Sequence, residues 1–480
     1  MNPEMDELKA PILPDHQPSS PPSKLKKRII IPTVISGALA LGIVSLLLNL
    51  NPAPVPAPPS GNLYSAIIDA GSSGSRVHVF KYSIDQFGVP VFNFGSLNYE
   101  SFSIPDGLST FANNLDGAKV KVQELVDFAK AKIPELMWSR SDIRLMATAG
   151  MRLIAYDDRE NILNAAREVL HASGLSFRDE WASVISGSDE GLYAWVIANY
   201  ALGSLGNDKS PTTGILELGG ASAQVTFVSS DKLVSHVDSR NKTYGSVPYN
   251  IYSHSFPDSG KDAAIKRLMD KLQKSTVGDE KVKDPCTPKG YKYVNHQNKY
   301  LSVFLADESE YTKLEAAGDF TDCKTKTLEL LKEQNDMCPS SYCAIGSTYT
   351  PKLKGNSFLA TASFFFTSTF FKLDQKFWYS DLRHKGDAFC RKDWDELVKE
   401  YEGTDLEYLR GYCFSSAYII SMFERLGTPR VIFSNKVKNT PLNWALGAFI
   451  DTVSQPSISP APSPAPTYGN GDNSRRFLGF

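Results

Sequence analysis

The chain has 480 residues, of which 51 are Lys or Arg and 53 are Asp or Glu, so its formal net charge is −2. Because this length exceeds what one ordinary core accommodates, we expect two domains. Hydrophobic content of 42% and charged content of 22% are typical of a globular protein, and the absence of a long basic stripe argues against nucleic-acid binding.

The first predicted element is a membrane anchor. Residues 1–28 are polar and proline-containing, and we interpret them as a disordered cytosolic tail. Residues 29–48 follow a basic cluster and form an uncharged apolar run long enough to span a bilayer. Since no Lys or Arg follows until Arg76, the rest of the chain should lie in a lumen or outside the cell, as in a single-pass type II protein of the Golgi, ER or cell surface. A cleaved signal peptide is the alternative, and the long run and long leader favour an uncleaved anchor.

Proline-rich segments flank the region that we expect to fold. Residues 49–61 predict a stiff, extended stem. Residues 455–480 are rich in Pro, Ser and Ala and cannot form a core, so they predict a disordered tail. The folded region therefore begins near Asn62 and ends near residue 454.

Strands and helices alternate along the folded region. Apolar spacing predicts helices over Leu115–Ile133, Asn161–Ala172 and Leu192–Leu202, and a short buried strand over Ile143–Thr148. The apolar segment Phe358–Phe371 is too short for a second membrane span and is interpreted as a buried element. This alternation favours α/β domains.

Two segments share a pattern in which an apolar strand ends in a carboxylate and a glycine-rich turn leads into another strand. The first is DAGSSGSR, over Asp69–Arg76, and the second is ELGGASAQ, over Glu217–Gln224. The repeat suggests an internal duplication. A cleft between two related lobes would place one turn on each side of a ligand.

The residue types in these turns predict a site for a polyphosphate–metal complex. Glycine allows a tight backbone, and successive N–H groups in such a turn form an anion-binding hollow. A carboxylate beside each hollow implies an intervening cation, Ca²⁺ or Mg²⁺, which we assign to Asp69 and Glu217. A single turn of this kind would be an ordinary loop, but the matched pair predicts a phosphate cradle made of Gly71, Ser72, Ser73, Gly74, Ser75, Gly219, Gly220 and Ala221.

The six cysteines all lie in the second half of the chain. Beyond a membrane anchor, an even set predicts three disulfides, for which the sequence permits fifteen pairings. Cys338 and Cys343 are near enough to close a small loop, and no CxxC pair or nearby His supports the rival metal site. The glycosylation sequon Asn241-Lys242-Thr243 fits the same compartment.

The chain resembles the apyrases, or nucleoside triphosphate diphosphohydrolases, particularly the plant type. The resemblance extends over about Tyr64–Ile450 and rests on five motifs in the family's order. They are DAGSSGSR, ATAGMR (Ala147–Arg152), SGSDEGLY (Ser186–Tyr193), LGGASAQ (Leu218–Gln224) and WALG (Trp444–Gly447). It implies an actin-like fold (a duplicated RNase H-like fold) with an interlobe cleft, with lobe I at 62–186 plus 436–454 and lobe II at 187–435. It also implies a Mg²⁺ or Ca²⁺ requirement and hydrolysis of the terminal phosphates of nucleoside tri- and diphosphates.

The same resemblance assigns roles to individual residues. Glu190, in the third motif, would be the catalytic base, with Ser222 and Gln224 fixing the attacking water. Further assignments are Thr148 and Ala149 to the phosphate site, Trp444 to the neighbourhood of the metal, and Phe365, Phe366 and Tyr412 to base stacking. Arg76 is interpreted as a phosphate contact or the partner of a structural acid, and Arg152 as structural.

One residue departs from the family pattern, because Glu217 stands where Asp usually precedes Leu-Gly-Gly. A carboxylate that reaches the metal through water tolerates the extra methylene, whereas direct coordination would change metal preference. Two alternative functions therefore stay open: a nucleotide-binding receptor with little turnover, and another phosphotransferase of the actin-like superfamily. The sequence makes no prediction of oligomeric state.

Overall fold

The computed structural model describes residues 62–454, except for positions 73, 85–89, 93–97, 208, 230–237, 277, 279, 294–310, 334–337, 339–342, 352, 354–355, 377–378 and 428–429. The expected tail, membrane anchor and stem (1–28, 29–48 and 49–61) and the expected C-terminal tail (455–480) lie outside the described residues. Within the described part of the chain, we find no helix that is both long and apolar enough to cross a bilayer.

A six-stranded mixed sheet is built from the first part of this region. Its strands are β1 (Leu63–Ala70), β2 (Gly74–Ile84), β3 (Pro90–Phe92), β4 (Tyr99–Pro105), β5 (Asp142–Ala147) and β6 (Ala182–Val184). The strand order is β3-β2-β1-β5-β6, and β4 also pairs with β2. Helices α1 (Leu115–Lys132), α2 (Ala149–Arg152) and α3 (Tyr156–Ala172) connect the strands, and α4 (Gly187–Leu202) follows β6.

A second six-stranded sheet follows, in the order β16-β15-β7-β8-β10-β9. The strands from here on are β7 (Gly214–Leu218), β8 (Ser222–Val228), β9 (Ser239–Tyr244), β10 (Val247–Pro257), β11 (Val282–Asp284), β12 (Leu314–Ala316), β13 (Cys343–Ile345), β14 (Thr348–Tyr349), β15 (Ser357–Ala362), β16 (Arg430–Phe433), β17 (Lys436–Val437) and β18 (Thr440–Pro441). The helices are α5 (Lys261–Lys274), α6 (Phe320–Lys332), α7 (Ser363–Phe370), α8 (Tyr379–Cys390), α9 (Trp394–Glu400), α10 (Leu406–Leu426) and α11 (Trp444–Ser454).

The two sheets have the same central topology. In the first, β4 and β2 are antiparallel, as are β2 and β1, whereas β1, β5 and β6 run parallel. In the second, β10, β8 and β7 repeat the antiparallel part, and β7, β15 and β16 repeat the parallel part. The glycine turns link β1 to β2 and β7 to β8, so they occupy equivalent places. This symmetry supports the duplication expected from the sequence.

Three apolar clusters hold the fold together. One lies in the first lobe under α1 and α3, and another lies in the second lobe around α10. The third joins residues of both sheets to α4 and α11, including Ile67, Trp195, Ile215 and Phe449. These two helices are therefore the packed layer between the sheets, and burial of their apolar side chains stabilises the contact between them.

The predicted elements agree with the structure in type and differ at their ends. The second helix begins at Tyr156 rather than Asn161, and the third begins at Gly187 rather than Leu192. Ser186 sets the latter start, because its side chain caps the helix by accepting a hydrogen bond from the Asp189 N–H at 3.1 Å. The apolar segment 358–371 divides into the end of β15 and helix α7, which confirms a largely buried element.

All three expected disulfides are present. They join Cys286 to Cys323, Cys338 to Cys343, and Cys390 to Cys413. Disulfides form and persist in oxidising compartments, so this pairing is typical of a domain of the secretory pathway.

Gly447 permits the close crossing of α4 and α11. A Cβ at Gly447 would lie 1.8 Å from the backbone oxygen of Tyr193, so Gly447→Ala must push the helices apart. We expect the free energy of unfolding to fall by about 3 kcal/mol or more. The control is Gly411→Ala in α10, where the new Cβ would meet only the Ile265 side chain, at 3.9 Å. Chemical denaturation should show the control unchanged or slightly stabilised; equal stability of the two variants would contradict the packing.

The buried His78 should make the fold acid-sensitive. Burial, reinforced by Arg76, lowers the pKa of His78 from 6.5 to about 3. Between pH 6.5 and about 3, the unfolded chain therefore binds more protons at His78 than the folded chain does. The contribution of His78 to the free energy of unfolding is complete above pH 6.5 and falls by about 1.4 kcal/mol for each pH unit below it. We expect His78→Asn to flatten the pH dependence of urea unfolding, whereas His171→Asn, at an exposed imidazole, should leave it in place. An unchanged slope in His78→Asn would exclude this origin.

Candidate functional site

The two glycine turns face each other across one cavity of about 380 Å³. A Cβ at Gly220 would lie only 3.6 Å from Ser72 Oγ, which brings the turn of one lobe against that of the other. Residues of both predicted cradles line the cavity, namely Gly71, Ser72, Gly74, Ser75, Gly219, Gly220 and Ala221; Ser73 lies outside the described residues. The shared cleft expected from the sequence is therefore present.

Close backbone contacts shape the first turn. A Cβ at Gly107 would lie 2.6 Å from the Ser72 oxygen, and one at Gly150 would lie 2.9 Å from Ser72 Cα. Ser72 is therefore held between two positions that only glycine can occupy without displacing backbone. Beside it, the buried hydroxyl of Ser75 has no hydrogen-bond partner among the described residues. That hydroxyl is available to a ligand in the cavity.

The second turn is fixed by the N-terminus of α5. The Gly219 oxygen accepts a hydrogen bond from the Lys261 N–H at 2.8 Å, and the Gly220 oxygen accepts from the Asp262 N–H at 3.0 Å. These bonds turn the carbonyl groups towards α5. Within the described residues, the N–H groups of Gly220 and Ala221 make no hydrogen bond. An anion in the cavity could accept from both.

Two acidic side chains, those of Asp69 and Glu190, line this cavity, and the predicted metal ligand Glu217 is buried behind its wall, within electrostatic reach of both. Burial raises the pKa of Asp69 to about 7, with Arg76 opposing the shift and Glu190 adding to it. Burial, together with repulsion from Glu190 and Asp69, raises the pKa of Glu217 to about 8. The pKa of Glu190 is raised by burial and lowered in part by Arg152. When they are ionised, the three groups make a negative, poorly solvated region, which a cation would stabilise.

The residues fit a hydrated divalent cation. Glu217 Oε2 is buried and has no hydrogen-bond partner in the described part of the chain, which leaves a hard oxygen ligand unsatisfied. In that same part, no three His, Cys, Asp or Glu side chains form a cluster able to hold a metal ion. Asp69 and Glu217 would therefore need water and substrate oxygens to complete the coordination, which is how Mg²⁺ is commonly bound.

Glu190 is held by a residue that we interpreted as purely structural. Arg152 Nη2 donates to Glu190 Oε2 at 3.0 Å, and Arg152 Nη1 donates to the Ile185 oxygen at 2.9 Å. The arginine thus ties Glu190 to Ile185, the residue that precedes the N-cap of α4. The sequence contained one signal for this contact: Arg152 lies in the second motif and Glu190 in the third. The spacing between the motifs could not show that the two side chains are in contact.

Ser222 and Gln224 lie at different depths. Ser222 lines the cavity, whereas Gln224 is almost fully buried and donates through Nε2 to Ser222 Oγ at 2.7 Å and to Ser255 Oγ at 3.1 Å. Gln224 is therefore placed to orient the Ser222 hydroxyl. Ser255, on β10, is a residue that sequence reasoning missed; its only signal was a small polar residue in a strand of larger side chains.

Other predicted residues also line the cavity, namely Thr148, Ala149, Arg76 and Trp444. Arg76 Nε donates to Ser103 Oγ at 2.6 Å on β4, and its positive charge also acts on Asp69, which lies opposite it in the hairpin. Trp444 is both core and cavity wall, because it is 6% exposed and belongs to the interlobe cluster.

The three aromatic residues predicted for base stacking are not gathered around the cavity. Phe365 makes an edge contact with the exposed Phe366, and the Tyr412 ring stacks on Phe370 with centroids 3.6 Å apart. Helix α7, which carries Phe365 and Phe366, nevertheless begins beside the second turn, because Ala362 pairs with Leu218. The role of these aromatic residues stays a prediction.

Comparison with known proteins decides the family. The model of the GDA1/CD39 (nucleoside phosphatase) family matches residues 57–461. This chain belongs to that family. Probable apyrase 3 of Arabidopsis thaliana is 53% identical over 427 residues, covering 87% of this chain and 86% of that protein, and probable apyrase 5 of the same plant is 48% identical, covering 99% and 100%. Ectonucleoside triphosphate diphosphohydrolase 1 of Mus musculus is 30% identical, covering 85% and 84%.

A solved structure supports the fold. The nucleoside triphosphate hydrolase structure from Neospora caninum aligns with a TM-score of 0.63 at 16% identity, covering 87% of this chain and 96% of that one. Together with the repeated sheet topology, this confirms the two-lobe, actin-like α/β fold. The family also confirms the expected enzyme class, a nucleoside phosphatase.

The variant Glu217→Gln tests two separate effects of this carboxyl group: the stability lost by burying it, and the binding of a cation. In chelator above pH 8, where the Glu217 carboxyl with its pKa of about 8 is ionised, we expect a melting temperature a few degrees above that of the parent protein, because the variant removes a buried charge repelled by Asp69 and Glu190. Added Mg²⁺ or Ca²⁺ should stabilise the parent protein and leave the variant unchanged. Thermal unfolding with and without metal measures both effects.

The control for this experiment is Glu315→Gln, at an exposed glutamate on β12. It should keep the parent's melting temperature in chelator and its full response to metal. A Glu217→Gln variant that is stabilised by metal as strongly as this control would show that Glu217 does not hold the cation.

Proposed function

We propose that this chain is an apyrase, which hydrolyses the terminal phosphate of nucleoside tri- and diphosphates. The observation that carries the proposal is the pair of glycine turns facing one cavity, with Asp69 and Glu190 in its lining and Glu217 buried close to both. Free backbone N–H groups and the Ser72 and Ser75 hydroxyls would bind phosphate oxygens. The carboxylates suit a cation bound to that phosphate chain.

Glu190 is proposed as the general base. Its carboxylate accepts a proton from water while the water oxygen bonds to the terminal phosphorus and the bond from phosphorus to the bridging oxygen breaks. The products are inorganic phosphate and the nucleotide shortened by one phosphate. Burial raises the pKa of Glu190 and strengthens it as a base, while the Arg152 hydrogen bond fixes one carboxylate oxygen and leaves the other for water.

Ser222 is proposed to position that water. Its hydroxyl accepts a hydrogen bond from Gln224 and can donate its own proton to the water oxygen. Gln224 would thus act through Ser222, as a positioning residue, rather than by touching the water. Positioning and charge stabilisation supply most of the rate in phosphoryl transfer, so a small rotation of Ser222 should be costly.

A Ca²⁺ or Mg²⁺ ion held by Asp69 and Glu217 would neutralise phosphate charge and polarise the terminal phosphoryl group. Arg76 adds a positive charge at the same wall of the cavity. Because the cavity is lined by groups suited to phosphate rather than to one base, we expect similar turnover of several nucleotides. Phe365, Phe366 and Tyr412 are proposed to supply base stacking, which tolerates any base.

The lobes are proposed to divide at residues 186/187 and 435/436. In support, the first sheet lies within 63–184 and the second within 214–433, while α11 packs against both α4 and β1. A single-pass type II anchor at 29–48 is proposed to hold this domain in a lumen or outside the cell. The three disulfides fit that compartment.

Glu190→Gln tests the mechanism. The assay measures phosphate release from nucleoside tri- and diphosphates by the purified full-length protein in the presence of Mg²⁺ or Ca²⁺. We expect kcat to fall by about 10² to 10⁴-fold, because the amide cannot accept a proton, and KM to change little. Asp189→Asn is the matched control, since it neutralises the adjacent acid of the same helical turn, which bonds to Ser186 and Arg240. Comparable losses in both variants would remove Glu190 as the base.

The same assay separates the alternative functions. A parent protein that binds nucleotide without releasing phosphate would be a receptor. Transfer of the phosphate to an added hydroxyl acceptor in place of water would indicate a phosphotransferase.

A further inference from the structure

The terminal strand of the second sheet carries the one N-glycosylation sequon in the sequence. Strand β9 pairs with β10 on one side and is the last strand in the sheet order among the described residues. The sequon Asn241-Lys242-Thr243 lies within it. A free strand edge offers unpaired N–H and C=O groups to any other extended chain.

Alternation along β9 sends its basic side chains inwards. Lys242 Nζ donates to Asp451 Oδ2 at 2.8 Å, and the Tyr244 hydroxyl donates to Asp451 Oδ1 at 2.7 Å, which ties this face to α11. Arg240, on the same face, donates to Asp189 Oδ1 at 3.3 Å. The cations of β9 are thus neutralised, and they do little to repel a second strand.

The other face of β9 presents the sequon to solvent. Asn241 and Thr243 alternate with the anchored residues and are exposed. Asn241 lies directly opposite Asn250 of β10. Both sequon side chains are therefore reachable at the edge of the sheet, and nothing within the described residues covers them.

We propose that Asn241 carries an N-linked oligosaccharide and that this glycan blocks pairing of a second chain with the β9 edge. In the transfer, Asn241 Nδ2 bonds to the anomeric carbon of a lipid-pyrophosphate-linked sugar donor. The bond from that carbon to the pyrophosphate breaks, and one amide proton is lost. The three disulfides are typical of the oxidising compartment in which this transfer takes place. The proposal does not depend on the proposed catalytic function.

Expression of the full chain in a eukaryotic secretory host tests the modification. Peptide mass spectrometry after glycosidase treatment should show Asn241 converted to Asp, and intact protein should lose the mass of one glycan. Asn241→Gln and Thr243→Ala should lack the glycan, whereas Thr243→Ser keeps the sequon and should retain it. Asn250→Gln is the matched control, because it changes the exposed asparagine across the strand pair and should stay glycosylated.

A second measurement tests the purpose of the glycan. Folded parent protein and protein deglycosylated without denaturation are compared by light scattering over a concentration series, together with Thr243→Ala. We expect the two glycan-free forms to associate at several-fold lower concentration than the parent protein. If Asn241 is unmodified, the proposal is overturned, whatever the state of the cysteines. If the parent protein, the deglycosylated protein and Thr243→Ala all self-associate at the same concentration, the glycan does not block pairing at the β9 edge.

Discussion

Mutual repulsion among three buried carboxylates is the constraint on which this structure depends. Asp69, Glu190 and Glu217 come from three different elements, and each is removed from water near the others. Burying like charges together costs free energy unless counter-charge or protons offset the cost. Arg152 and Arg76 supply part of the counter-charge, and Glu217 Oε2 has no hydrogen-bond partner in the described part of the chain. A cation with its phosphate would supply the rest.

The surrounding fold acts mainly to hold these groups close. Glycine at helix contacts allows α4 to approach the second sheet: a Cβ at Gly191 would lie 2.5 Å from Thr226 Oγ1. Gly447 lets α11 approach α4 in the same manner. The first turn of α4 is thereby fixed against β8 and β10, where Ser253 donates to the Ser188 oxygen at 2.6 Å. Glu190 sits in that turn, so its position depends on the packing of α4 against the second sheet.

The sequence predicted the parts of the site that local chain geometry determines. Each glycine turn follows a strand that ends in an acidic residue. Any fold that pairs the two flanking strands places that acidic residue beside the turn. Local sequence patterns could not predict contacts between distant segments. The Arg152–Glu190 and Ser255–Gln224 hydrogen bonds, for example, join residues 38 and 31 positions apart. The start of α4 was placed too late because its first turn is polar, and the cap at Ser186 outweighed the apolar periodicity used to predict it. The stacking of Tyr412 on Phe370 also depends on tertiary packing.

The duplicated hairpins share a backbone plan, but the residue opposite each carboxylate differs. Asp69 pairs across its hairpin with Arg76, whereas Glu217 pairs with Gln224. The arginine lowers the pKa of Asp69 and keeps it at about 7, while Glu217, without such a neighbour, rises to about 8. Glu217 thus has the greater electrostatic need for a cation, and the uncharged Gln224 is free to orient Ser222. The difference at this one register position therefore gives the first turn a positive charge that the second turn lacks.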